Sequence, residues 1–178
     1  MDFKYQRFIE SNFSIKNKEG KVVPFIFWKP QDTYMIDLVT TYGNDLVGVR
    51  DQILKARKEG FSSLVLGIFA TDFIVSRDPT ASVCISDTKD ETRKLVNRAR
   101  FFIESFAEKN NRLLTDICEV SNANELKNKV NDAVFWIGTA GSRVALRTET
   151  VQNLHFSEGA HFQDTDIITA RETYEGSM

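Results

Sequence analysis

Proline is scarce in this chain, with three in 178 residues, and glycine is held to nine. That scarcity excludes collagen-like repeats and Pro/Gly-rich low-complexity disorder. Cysteine occurs only at Cys84 and Cys118, a count and spacing that suit neither a disulfide framework nor a metal knuckle. Cys84 lies inside an apolar run and reads as a buried thiol, which fits a reducing, intracellular setting. No apolar run approaches the roughly 18 to 20 residues that span a bilayer. The charged and aromatic opening, Met1 to Glu10, is unlike a signal peptide. Neither sign of charge dominates: 23 Lys and Arg against 25 Asp and Glu leave a formal charge of −2. There is no global basic field for nucleic acid, so any DNA contact would be local or supplied by another domain.

What is present is a 42% hydrophobic complement that includes fourteen phenylalanines, enough for one sizeable core. Residues 1–20 read as a short amphipathic helix around Phe3, Phe8 and Ile9, followed by a polar turn at 17–20. Residues 21–28 are extended, and Pro24 confines them to an edge. Pro30 opens a helix whose apolar face carries Tyr34, Ile36, Leu38 and Val39 and which ends near Gly43. A strand at 52–55 is expected next, then a loop, then a helix over 62–75. Residues 81–86 read as a buried strand, 87 and 88 as loop and cap, and 89–109 as an amphipathic helix. Residues 112–120 are strand or irregular, and 125–138 a hairpin with Asn131-Asp132 at its tip. A polar loop at 138–147, a strand at 151–156 and a helix from 164 complete the reading. Phe101, Phe102, Phe106 and Trp136 read as core. The alternation predicts an α/β fold, a mostly parallel sheet flanked by helices. In such folds ligands sit beyond the carboxyl ends of the strands. The loops starting at Lys55, Asp87 and Ser157 then share one edge.

The segment from Gln52 to Leu66 has the build of a phosphate-binding loop: apolar strand, basic loop, Gly60, two hydroxyl residues, apolar helix. Backbone N–H groups and the positive end of a helix dipole suit an anion there. The common pattern places lysine after the last glycine. Here Phe61 holds that position, and the cation is Lys55, Arg57 or Lys58 at the front of the loop. A basic surface turn capped by Ser62 has the same sequence. A second element is the strand that ends at Ser157-Glu158, where a carboxylate could orient an attacking water. Read alone, Glu158 is equally a solvated loop acid.

These segments together resemble the large subunit of tailed-bacteriophage terminases, the motors that package viral DNA. The resemblance runs over residues 8–178, through the stretch ending at Gln31, the loop 55–64 and the stretch 138–162. It implies a P-loop NTPase core of the ASCE type at 30–178, a 1–29 extension, and no nuclease domain in this chain, so a truncated motor. Gln31 would read the adenine edge, with both a donor and an acceptor in its amide. Arg57, with Lys55 and Lys58 beside it, would meet the phosphates, Gly60 and Phe61 would shape the loop, and Ser63 would support it. Ser62 and Ser157 would hold Mg²⁺, Glu158 would be the catalytic carboxylate, and Arg147 would be a finger acting on a neighbouring subunit's nucleotide. A salt bridge to Glu149 is the alternative for Arg147; Asp87 could approach the nucleotide edge, but reads first as a cap of the helix that follows.

Two positions depart from the commoner family pattern: Phe61 stands for lysine and Ser157 for aspartate. The implied activity is Mg²⁺-dependent ATP hydrolysis in a homo-oligomeric ring, with double-stranded viral DNA, a portal protein and a terminase small subunit as partners. The implied location is the host cytoplasm, with no membrane. A helicase-like ATPase and a non-catalytic α/β interaction module are the competing classes. His155 and His161 are a conceivable metal pair and, more plainly, a strand and a loop residue.

Overall fold

The computed structural model describes residues 3–54, 59–140, 150–158 and 161. The chain begins with helix α1 (Lys4–Asn12) and an antiparallel hairpin, β1 (Ser14–Lys16) with β2 (Val22–Pro24). Pro24 sits at the end of this small two-stranded sheet, where no ladder continues through it. Helix α2 (Lys29–Tyr42) has Pro30 in its first turn and stops at Gly43, whose φ is +78°. Its buried face is Gln31, Met35 and Leu38; the expected core residue Ile36 is instead exposed.

Two longer helices carry the core. Helix α3 (Phe61–Val75) is buried nearly all round, from Phe61 and Leu64 through Ile68 and Phe69 to Phe73. A helix apolar on every side belongs in the middle of a layered structure, and α3 packs against α1 and α4 as well as the sheet. Gly67 permits the approach of α1: a Cβ there would lie 3.2 Å from Ile9 Cδ1. Helix α4 (Lys89–Lys109) is amphipathic and buries Leu95, Val96, Ala99, Phe102 and Ile103. Phe102 stacks on Phe13 (5.2 Å) and on Phe25 (5.6 Å), which fastens the N-terminal hairpin over α4. Phe106 stacks on Phe8, so these aromatics serve packing, as expected.

The main sheet has five strands in the order β4-β5-β6-β3-β7. These are β3 (Ala81–Ser86), β4 (Cys118–Ser121), β5 (Glu125–Asn128), β6 (Val134–Thr139) and β7 (Asn153–Ser157), with a short helix α5 (Leu114–Ile117) before β4. β3 is buried at every position, as befits a central strand with parallel neighbours on both sides. β6 and β7 run parallel to it, while β5 is antiparallel to both β4 and β6. The sheet is therefore mixed, not mostly parallel. The cause is the 125–138 hairpin, whose tight return at Asp132 (φ +56°) forces an antiparallel ladder.

A second correction concerns the strand expected at 52–55. Residues 52–54 are not strand, Leu54 is 94% exposed, and Gln52 N–H donates to the Asp51 side chain instead of to a ladder. Lys55 lies outside the described residues, as do the loop 141–149 and the helix expected from 164. Both cysteines are free and buried, and burial pushes the Cys84 thiol up to about 12 and Cys118 to about 11. Among the described residues no helix is long and apolar enough to cross a membrane.

Candidate functional site

Chain direction fixes where the chemistry collects. β3 returns after α3, and α4 returns after β3, so α3 and α4 start at the end of the sheet where β3 finishes. β7 is parallel to β3 with Ser86 opposite Ser157. Asp87 and Glu158 are thus the first residues beyond two paired strand ends, about one strand spacing (~4.8 Å) apart along the sheet. Chain order points the start of α3, and with it the turn at Gly60, toward this end. The approach to the turn also passes β7: Ile53 and Asp51 line one cavity of about 350 Å³ together with Leu154 and His155.

Gly60 is the residue before α3 and has φ +73°, the left-handed region that glycine adopts without strain. No side chain caps α3 and no acid occupies its first turn. Among the described residues nothing caps its first N–H groups, and a helix start of this kind suits water or an anion. Gln31 is buried, with 2% exposure, and its amide braces this turn: Nε2 donates to Gly60 O (3.0 Å) while Oε1 accepts from Trp28 N (3.3 Å). Trp28 Nε1 adds a bond to Glu59 O at 3.0 Å. Gln31 and Gly60 are therefore brought together, although the amide spends one donor and one acceptor on the backbone. Phe61 is buried and meets Tyr34 edge-on at 5.5 Å, so the residue in the lysine position is an anchor of the core. Ser62 and Ser63, half-buried, follow it in the first turn.

On the strand side, Ser157 is buried at the end of β7. Glu158 is exposed and has φ +59°, a conformation rare for a non-glycine residue outside Asn and Asp. Its carbonyl accepts from His161 N at 2.9 Å, which closes a turn. Strained backbone of this kind concentrates at functional sites. Asp87 does not cap α4; Thr88 does, accepting from Glu91 N at 3.3 Å. Oδ1 of Asp87 is instead buried and, among the described residues, without a hydrogen-bond partner. Behind it a hydroxyl cluster fixes the strand ends: Thr92 Oγ1 lies 2.7 Å from both Ser86 Oγ and Thr139 Oγ1.

α4 adds cations that the sequence reading passed over. Lys94 pairs with Glu91, which holds its ammonium above the usual range, with smaller help from Asp90 and Glu158. Arg98 is half-buried, and desolvation lowers its guanidinium pKa from the ordinary value. The signal in the sequence was the i, i+3, i+7 stripe Glu91, Lys94, Arg98 on one helix flank.

Of the residues expected at a nucleotide site, Gln31, Gly60, Phe61, Ser62, Ser63, Ser157 and Glu158 are described. Lys55, Arg57, Lys58 and Arg147 lie outside the described residues. The expected metal ligands Ser62 and Ser157 are hydroxyls; Asp87 Oδ1, orphaned at the strand end, is the oxygen of charge that fits a hard cation beside them. Among the described residues no group of three or more His, Cys, Asp and Glu could hold a metal; His155 lies in β7 and His161 in the turn after it. No protein-family model, curated protein or solved structure matches this chain.

Proposed function

We propose that this chain binds and hydrolyses ATP as the motor domain of a DNA-packaging terminase. One observation carries the reading: an uncapped helix start behind a left-handed glycine shares one sheet end with the neighbouring acids Asp87 and Glu158. The triphosphate lies against the first turn of α3, whose N–H groups face the anion, with Arg57, Lys55 and Lys58 as the loop cations. Gln31 holds the turn and offers its remaining amide donor and acceptor valences to the adenine edge. Glu158 orients the attacking water and accepts its proton. Mg²⁺, when bound, neutralises phosphate charge; Ser62, Ser157 and Asp87 are the residues that would hold it. Asp87 in this role supplies the negative charge that Ser157 lacks. Arg147 reaches a neighbouring subunit in a homo-oligomeric ring, and double-stranded viral DNA, the portal protein and the terminase small subunit are its partners.

Isothermal titration with ATP and Mg²⁺ tests the reading. Saturable binding is expected in the wild type and in Glu158→Ala, with hydrolysis abolished in the latter and binding lost in Arg57→Ala. Indifference of both properties to both substitutions would make the chain an interaction module. Glu158→Gly separates chemistry from packing: relief of the left-handed strain stabilises the fold by up to about 1 kcal/mol while hydrolysis is lost. No metal-dependent DNA cutting is expected from this chain.

A further inference from the structure

Among the described residues the Arg98 guanidinium has no partner. Five donors in a half-buried position ordinarily find a carboxylate or carbonyl, yet among the described residues Arg98 makes no hydrogen bond or ion pair; Glu91 and the Cys84 thiol are charge neighbours that favour its cationic form. Glu91 is already committed to Lys94. Half-burying a cation costs free energy, and an anion beside it offsets part of that cost. Arg98 lines a groove of about 650 Å³, a size suited to a small ligand.

The other walls are informative. Ser63, in the first turn of α3, lines the same groove as Arg98. Lys16 comes from β1 and rests over the Phe101 ring at 5.6 Å, which orders a second cation on the opposite wall. Arg100 also lines the groove but is spent on Ser121 Oγ, Asn97 Oδ1 and Asn122 O. Glu104 is the one acid among the lining residues, against four bases.

We propose that this groove is a phosphate-binding site in which Arg98 is the principal ligand, with Ser63 and Lys16 in support, and that it takes the terminal phosphates of a nucleoside triphosphate. The position after Gly60 that would bring a lysine brings buried Phe61, and α4 supplies the cation from the side. The identity of the ligand rests on the nucleotide reading; the anion site rests on Arg98 and its groove alone.

The test titrates the full chain with ATP and, separately, with inorganic pyrophosphate, both in EDTA so that no metal contributes. Arg98→Gln is expected to weaken both ligands roughly tenfold or more, and Arg98→Lys to fall between, because an ammonium lacks the bidentate fork. Without ligand, Arg98→Gln should melt at or above the wild-type temperature, since it removes an unpaired cation. Wild-type affinity in Arg98→Gln overturns the site and leaves the ATPase reading standing. Pyrophosphate binding through Arg98 without ATP binding keeps the site and overturns the nucleotide reading. Binding of neither ligand overturns both, and an Arg98→Gln chain that fails to fold marks the guanidinium as structural and overturns the site.

Discussion

Helices α3 and α4 start at the same end of the sheet and solve the same problem in opposite ways. α4 closes its own start: Thr88 caps it, Asp90 and Glu91 stand in its first turn, and Lys109 stands in its last. Its dipole is answered by its own sequence. α3 has glycine for a cap, no acid in its first turn, and no base in its last. What holds it comes from far along the chain: Gln31 at its start, and Tyr5 and Asn153 on Asp72 near its end. A helix fastened by its own residues has no need of a ligand. One fastened only from outside, with its first N–H groups open, is the place where an anion contributes most.

This contrast can be broken by substitution, and the largest effect is expected at Gly60. Gly60→Ala puts a side chain at φ +73° and a Cβ 2.9 Å from Gln31 Nε2. The left-handed strain together with the displaced amide should cost about 3 kcal/mol in urea unfolding, and phosphate binding should fail with it. A cost below about 1 kcal/mol would mean that the turn relaxes freely and is not braced. Gln31→Ala comes next, at about 2 kcal/mol, because Trp28 N–H loses its acceptor and Gly60 O one of its donors. Thr88→Ala on α4 should cost about 1 kcal/mol or less, the ordinary value for an exposed cap, and leave ligand binding unchanged. Should Thr88→Ala reduce ATP affinity as much as Gln31→Ala does, the distinction between a closed and an open helix start would be lost.

The same contrast explains what could be read from the residues alone. α4 was legible over 89–109 because its cap, charges and apolar stripe are local signals. β3 at 81–86 and the 125–138 hairpin were legible for similar reasons: a short apolar run, and an Asn-Asp tip. The extent of α3 was legible too, but not its surroundings, since nothing near Gly60 announces that Gln31 will brace it from 29 residues away. The strand expected at 52–55 failed over its described residues, 52–54, because two adjacent apolar residues become strand only when a partner pairs with them, and Leu54 points to solvent. The mixed sheet was missed although its hairpin was seen, because alternation of strand and helix says nothing of which edge a hairpin joins. Ser157 and Glu158 were picked out by position along the chain, at the end of a strand that is present. Asp87 was passed over as a cap because its closeness to Glu158 exists only in the register of β3 with β7.

The far end of α3 gives the finest test, one of slope rather than size. Asp72 accepts from Tyr5 Oη at 2.7 Å and from Asn153 Nδ2 at 2.9 Å. Desolvation nevertheless outweighs these bonds and raises its carboxyl above the usual 3.8. The folded chain therefore holds this proton more tightly than the unfolded chain does. Stability contributed by the protonated acid is present below the ordinary carboxylate pKa and is lost as pH rises through the raised one. Asp45 works the other way: its exposed pairing with Lys4 lowers its pKa, so its small contribution is lost as pH falls. The two trends overlap in the wild-type curve, which is why the comparison must be a difference. Urea unfolding of wild type and Asp72→Asn, measured from about pH 4 to pH 7, isolates the Asp72 titration. The variant should gain on the wild type steadily as pH rises across that window. Parallel curves would mean that Tyr5 and Asn153 fully offset the burial of the charge, and that α3 is held at its far end without cost.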